Sequence, residues 1–247
     1  MKTFLHGGDL GDVIYALPAI RALGGGCLYL SEANHGREPL TAARRDVLVP
    51  LLEQISYLQK IDVHRGEPVD VDFANFRAFL RPGEWNLAQS HLACCGLPLD
   101  LADDAWIDRP ALREPGVRFA LVIHRTERYR NPLFPWKTVV EKFGRRASFV
   151  GLTREYLDFV NWNGSVFFRP TKNLLEMAEL IADCRIFIGN QSVGYALAEA
   201  MKVDSVLEAY PDFLDCMFSR ENIIQVASGM LDLDWITSRL PPSDDAD

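Results

Sequence analysis

A glycine-rich hexapeptide, Gly7-Gly8-Asp9-Leu10-Gly11-Asp12, separates a short apolar run from an amphipathic one near the amino terminus. Thr3 to His6 reads as a buried strand, and Val13, Ala16, Leu17, Ile20 and Leu23 recur at the spacing of one helical face. Such a strand-to-helix turn brings backbone N–H groups close to a ligand, which makes Gly8, Asp9 and Gly11 candidate binding positions. Asp12 adds a carboxylate at the mouth of the turn. A carboxylate would repel a phosphate there but could take a proton from a substrate hydroxyl, as a general base. The competing role is a first-turn acid that caps orphan N–H groups and meets the helix dipole. Spacing alone leaves both open. Pro18 removes one hydrogen bond from the same helix and predicts a bend or an irregular first turn.

Three further groups could do chemistry. The loop from His124 to Asn131 sets Thr126 and three arginines, Arg125, Arg128 and Arg130, at the carboxyl end of a strand. Guanidinium forks there suit an anionic ligand, against the alternative of a solvated charged loop. At Asn190-Gln191-Ser192-Val193-Gly194 a strand runs into a helix whose first N–H groups could bind phosphate, against the alternative of a plain serine cap. Glu155, after Gly151, could accept hydrogen bonds from ribose hydroxyls or could cap its helix. Asp70 and Asp72 share one strand face, but no other ligand supports a metal, and they read as a surface strand edge. The cysteines Cys27, Cys94, Cys95, Cys184 and Cys216 lack metal-ligand spacing and read as reduced thiols. A G-x-G-x-x-G fingerprint is absent, which argues against a nicotinamide enzyme.

The elements that must position these groups alternate between strand and helix, the pattern of an α/β protein with parallel sheets. In the first half, strands are expected at 3–6, 27–30 and 59–64, with helices at 13–23, 47–55 and 86–95. Residues 109–116 are polar and rich in proline and glycine, and form the candidate linker. The second half reads as five strands, 119–123, 147–150, 165–168, 185–188 and 205–208, with helices at 136–143, 154–160, 174–183 and 193–201. The expected domains are therefore 1–112 and 117–240, with an acidic, disordered tail at 241–247.

Composition bounds the function. A net charge of −8 argues against broad nucleic-acid binding while leaving room for a local basic cleft. No apolar run is long enough to span a bilayer and no signal peptide is legible, so a cytoplasmic location is the expectation.

Gly8 to Ile20 resembles the G-D-x-x-x-x-L-P opening of the lipopolysaccharide heptosyltransferases, glycosyltransferase family 9. Leu174 to Asn190 is similar to that family's run into its donor loop, and Gly151 to Glu155 to its G-x-x-x-E ribose site. The likeness covers the first twenty residues and most of the second half. It implies an α/β fold of GT-B type, two Rossmann-like domains with parallel sheets facing a central cleft. It also implies an inverting, metal-independent transfer from a nucleotide-diphosphate sugar to a hydroxyl of a glycan or other acceptor, without a cofactor. By motif position, Asp12 would be the base, Glu155 would hold the ribose, and the turn of Asn190, Gln191, Ser192 and Gly194 would hold the diphosphate together with the arginine loop. The sequence departs from the family where N-D-S-G-P-x-H is expected, with Gln191 for the aspartate and Ala196 for the histidine. Two alternatives stand beside this reading: a phage-type DNA-base glycosyltransferase, and a nucleotide-sugar-binding module without catalysis.

Overall fold

The computed structural model describes residues 1–32, 39–112, 120–228 and 230–242. Part of the expected linker (113–116), the first residue of the strand expected at 119–123, and the tail at 243–247 lie outside the described residues.

The first half runs β1 (Lys2–His6), α1 (Leu10–Ala22), β2 (Gly26–Leu30), α2 (Ala42–Leu52), β3 (Leu58–Val63) and β4 (Val71–Asp72). A 3-10 segment (Phe73–Phe79) and α3 (Leu87–Cys94) follow. The second half runs β5 (Leu121–His124), α4 (Trp136–Phe143), β6 (Ala147–Gly151), α5 (Thr153–Asn163), β7 (Phe167–Pro170) and α6 (Leu174–Asp183). It ends with β8 (Ile186–Asn190), α7 (Val193–Ala200), β9 (Ser205–Glu208), β10 (Ile223–Val226) and α8 (Leu233–Arg239).

Two sheets result, ordered β3-β2-β1-β4 and β10-β9-β8-β5-β6-β7, with every pairing parallel. The second order is that of a doubly wound nucleotide-binding sheet, read from β7 inward and out to β10. It has six strands rather than the expected five, because β10 is a short edge strand whose half-buried residues give no strong alternation. The strand edge expected at Asp70–Asp72 is present as β4, at the margin of the first sheet. Helix α2 begins at Ala42 rather than Val47, since its first turn is polar and apolar spacing cannot mark it.

Helix α1 is buried from Asp12 to Ile20 because it packs on α3 and, across the two halves, on α7. One continuous core therefore joins Val13, Ile14 and Leu17 of the first half to Tyr195, Leu197 and Ala200 of the second. A second core, around Phe149, Phe159 and Trp136, fills the space under α4 and α5. Pro18 sits inside α1 without ending it. Its missing N–H would leave the Ile14 carbonyl orphaned, and the buried Trp106 indole N–H donates to that oxygen at 3.0 Å.

Candidate functional site

In open parallel sheets a ligand crevice forms at the carboxyl ends of strands where the order reverses. In the first sheet that point lies between β1 and β4. The turn after β1 carries Gly8 to Asp12, and the 3-10 segment after β4 carries Arg77. Arg77 Nη2 donates to Asp12 Oδ2 at 2.5 Å, and the Asp9 N–H donates to the same oxygen at 3.2 Å. Asp12 is thus a first-turn cap and also the acid of a cleft. It is only 5% exposed. Burial pushes its carboxyl up from 3.8 to about 6, against the opposing pull of Arg77, while the nearby Asp9 and Asp215 carboxylates add to the rise. A Cβ on Gly8 would lie 2.7 Å from His6 Cε1 and 2.9 Å from Asp12 Oδ2, so only glycine fits beside that carboxylate.

This turn faces the second half directly. Gly11 lies against Val193 and Ala196 at the start of α7. Asp9 reaches Arg44 of α2 and Arg128 of the β5 loop, each at 3.8 Å. Asp215, on the irregular stretch after β9, accepts from Gln191 Nε2 at 3.2 Å, and its carbonyl accepts the Leu87 N–H at 2.7 Å. Burial raises its carboxyl above the ordinary range.

The second reversal point lies between β5 and β8. Most of the residues expected to meet a diphosphate there have internal partners. Arg125 is buried in a two-bond pair with Glu208, Nε to Oε2 at 2.7 Å and Nη2 to Oε1 at 2.8 Å. Arg130 pairs with Asp158 of α5. Asn190 accepts the Thr126 N–H at 3.1 Å and donates to the carbonyls of Thr126 and Arg128, so its amide staples the arginine loop to β8. Gln191 is buried too, donating to Phe213 O at 2.5 Å and accepting from the Tyr210 N–H at 2.7 Å. The physical reason is shared: each polar group is buried on folding and must find a hydrogen-bond partner. Arg128 differs, with 43% of its side chain exposed at the cleft.

His124 sits at the centre of the donor-side turns. Its Nδ1 lies 3.0 Å from Ser192 Oγ and its Nε2 3.7 Å from Glu155 Oε2. A Cβ on Gly194 would come within 2.6 Å of His124 Nδ1, and one on Gly151, at φ +128°, within 3.0 Å of His124 Cδ2. Both glycines therefore make room for one imidazole. Glu155 also accepts the Leu152 N–H at 3.1 Å. Burial would raise its carboxyl, but His124 and the Leu152 N–H outweigh burial and hold it below the usual range. The structure thus brings Asp9 to Arg128 and Gly11 to the start of α7, pairs Asp12 with Arg77, and gathers Ser192, Gly194 and Glu155 around His124.

Among the described residues no group of three or more His, Cys, Asp or Glu could hold a metal ion. Asp70 is occupied by Thr3, and Asp72 caps the 3-10 segment by accepting from the Ala74 N–H.

Solved structures share this architecture. A glycosyltransferase family 9 protein from Veillonella parvula matches with a TM-score of 0.61 and 12% identity, over 92% of this chain and 85% of that one. ADP-heptose lps heptosyltransferase II of E. coli matches with a TM-score of 0.60 and 13% identity, over 92% and 90%. E. coli heptosyltransferase WaaC with ADP-2-deoxy-2-fluoro heptose matches with a TM-score of 0.54 and 10% identity, over 93% and 94%. The chain has the GT-B fold. No protein-family model matches it and no curated protein matches it in sequence. Arg77, His124 and Asp215, which contact Asp12, Ser192 with Glu155, and Gln191 respectively, are not singled out by sequence reading. Arg77 and Asp215 lie in segments without periodicity, and only the glycines around His124 hint at a bulky neighbour.

Proposed function

We propose that this protein is a glycosyltransferase that moves a sugar from a nucleotide-diphosphate donor to an acceptor hydroxyl, with inversion. The observation that carries the reading is the Asp12 carboxylate, buried and raised to about 6, on the same glycine turn whose Gly11 lies against the start of α7 from the opposite half. A base poised near neutrality can take the acceptor proton as oxygen attacks the anomeric carbon. The α7 N-terminus and Arg128 would meet charge growing on the leaving diphosphate. The E. coli WaaC structures with ADP and with a fluorinated ADP-heptose support an ADP-sugar as the first donor to test. Thermal-shift titration with ADP-, GDP-, UDP- and CDP-sugars, followed by a turnover assay, tests this. A donor that binds the native state raises its midpoint. Binding without turnover would make the chain a donor-binding module instead.

Catalysis requires ionised Asp12, so kcat/KM is expected to fall as pH drops through about 6. A flat profile across that range would remove Asp12 as the base. Transfer is expected to survive EDTA, because Arg128 and the helix terminus carry the diphosphate charge in this reading. Activity lost to chelator and restored by Mg²⁺ would assign that work to a metal.

Glu155 in this reading holds the ribose while it caps α5. Glu155→Ala is expected to weaken nucleotide binding about ten-fold or more, the equivalent of a charge-assisted hydrogen bond of about 1.5–3 kcal/mol. Equal affinities by calorimetry would leave the carboxylate only its contacts with Leu152 and His124.

A further inference from the structure

Two histidines behind the glycine turn are buried and take no part in the transfer described above. The Gly8 N–H donates to His6 Nδ1 at 3.0 Å, so that nitrogen is unprotonated. His6 must then carry its proton on Nε2, which lies 3.1 Å from His91 Nε2. His91 accepts there, and its own proton sits on Nδ1, 2.7 Å from the Leu87 carbonyl oxygen. Every proton in the chain from Gly8 to Leu87 is assigned, and both rings are neutral. Burial, helped by Arg77 and opposed by the Leu87 carbonyl, independently holds His91 at about 3.

The pair connects to Asp12 by two routes. Along one, His6 fixes the Gly8 N–H, and the N–H of the next residue, Asp9, donates to Asp12 Oδ2 at 3.2 Å. Along the other, His91 stacks on Phe76 with ring centroids 3.9 Å apart, and the Arg77 guanidinium lies 4.8 Å from the Phe76 centroid. Arg77 then donates to the same Asp12 oxygen. The contacts close a ring: Asp12, Asp9, Gly8, His6, His91, Phe76, Arg77.

We infer that His6 and His91 are a positioning pair that aims and desolvates the Asp12 carboxylate, a role that rests on Asp12 being the base. A neutral pair suits this task. A cationic ring would repel the Gly8 N–H at one end and the Arg77 guanidinium at the other. Both rings are closed off from solvent, so the pair acts through the turn and through Arg77.

Three measurements on the full chain test the inference. In the wild type, ¹⁵N imidazole spectra are expected to show His6 protonated on Nε2 and His91 on Nδ1, unchanged between about pH 5 and 8, where free histidine titrates. Opposite tautomers or a cationic ring would overturn the assignment. His91→Phe keeps a ring on Phe76 but removes the acceptor for His6. In that variant the ¹³C titration of the Asp12 carboxyl should move down towards the ordinary value of 3.8 as water reaches it. In the same variant kcat should fall between about ten-fold and the 10²-fold that a 1 Å misplacement can cost, with donor KM unchanged. His91→Gln returns an acceptor to His6 and should restore most of both. A folded His91→Phe with the wild-type titration and kcat would sink the inference. Should His91→Phe fail to fold, the wild-type spectra and the His91→Gln titration decide. The carboxyl titration reads positioning without turnover, so absence of transferase activity would overturn the proposed function and leave this test standing.

Discussion

Asp12→Asn is expected to lower kcat by about 10²–10⁴-fold, the usual contribution of a general base, while donor affinity stays close to wild type. The amide keeps the size of the carboxylate and can still accept from the Asp9 N–H and from Arg77, so the turn should hold its shape. A variant retaining more than about a tenth of wild-type kcat would show that no base acts there. The same substitution should stabilise the fold, and the sign follows from the carboxyl's two environments. In the folded chain it titrates near 6, against 3.8 when unperturbed. Below 3.8 it is neutral in both states and costs nothing. As pH rises through 6 the folded protein must carry a buried charge and loses stability. At neutral pH that cost is on the order of 2–3 kcal/mol, from two pKa units at about 1.4 kcal/mol each. Arg77 keeps access to water and is little troubled by losing its ion-pair partner. An inactive variant that melts higher than wild type above pH 6, and equally with it in acid, would show a carboxylate held ionised against the interest of the fold. Lower stability at neutral pH would mean that Arg77 binds Asp12 tightly enough to make the pair structural.

How much of this was legible from residue order follows the strength of local signals. Helices α4 and α6 and strand β9 have their expected boundaries: Trp136–Phe143 and Leu174–Asp183 show clear helical spacing, and Ser205–Glu208 is a short run, buried throughout, that follows a helix-ending polar turn. β4 and β10 complete the two strand orders, yet both are short margin strands held by tertiary pairing. The β5–β8 reversal needs no β10. The first sheet, however, reverses at β4, and a lone strand edge at Asp70–Asp72 does not tell that it pairs with β1 and sets Arg77 beside Asp12. The glycine turn was legible because a Gly-Asp-rich strand end has few purposes. The arginine loop shows what residue type leaves open. Residue type shows that Arg125 and Arg130 can bind anions, but the anions they meet are Glu208 and Asp158, remote in sequence. Asn190 and Gln191 likewise answer to carbonyls and amides of distant loops. Only Arg128 kept an exposed place at the cleft.

The Arg125–Glu208 pair gives the other large expected effect. Glu208 is fully buried and receives four hydrogen bonds, two from Arg125, one from Trp136 Nε1 at 2.9 Å and one from the Asn131 N–H at 2.8 Å. It therefore ties the arginine loop and the start of α4 to the end of β9. Breaking such a pair from one side leaves a buried charge uncompensated and costs about 3–5 kcal/mol. Glu208→Gln and Arg125→Met should each lower the melting midpoint, by roughly 2–4 °C per kcal/mol for a chain of this size. The double variant Arg125→Met/Glu208→Gln should recover much of the loss, since no buried charge is left unpaired and the Gln carbonyl can still accept from Trp136 Nε1 or the Asn131 N–H. The outcome also separates two roles for Arg125. A structural guanidinium predicts large single-variant losses, strong coupling in the double variant, and nucleotide affinity that falls only as far as the loop loosens. A ligand for diphosphate predicts the reverse, with Arg125→Met melting like wild type while nucleotide affinity collapses. Buried at 8% exposure and gripped through two nitrogens, Arg125 belongs to the first. Of the loop's arginines Arg128 is then the one left for a diphosphate, so Arg128→Ala should weaken nucleotide binding more than Arg125→Met does.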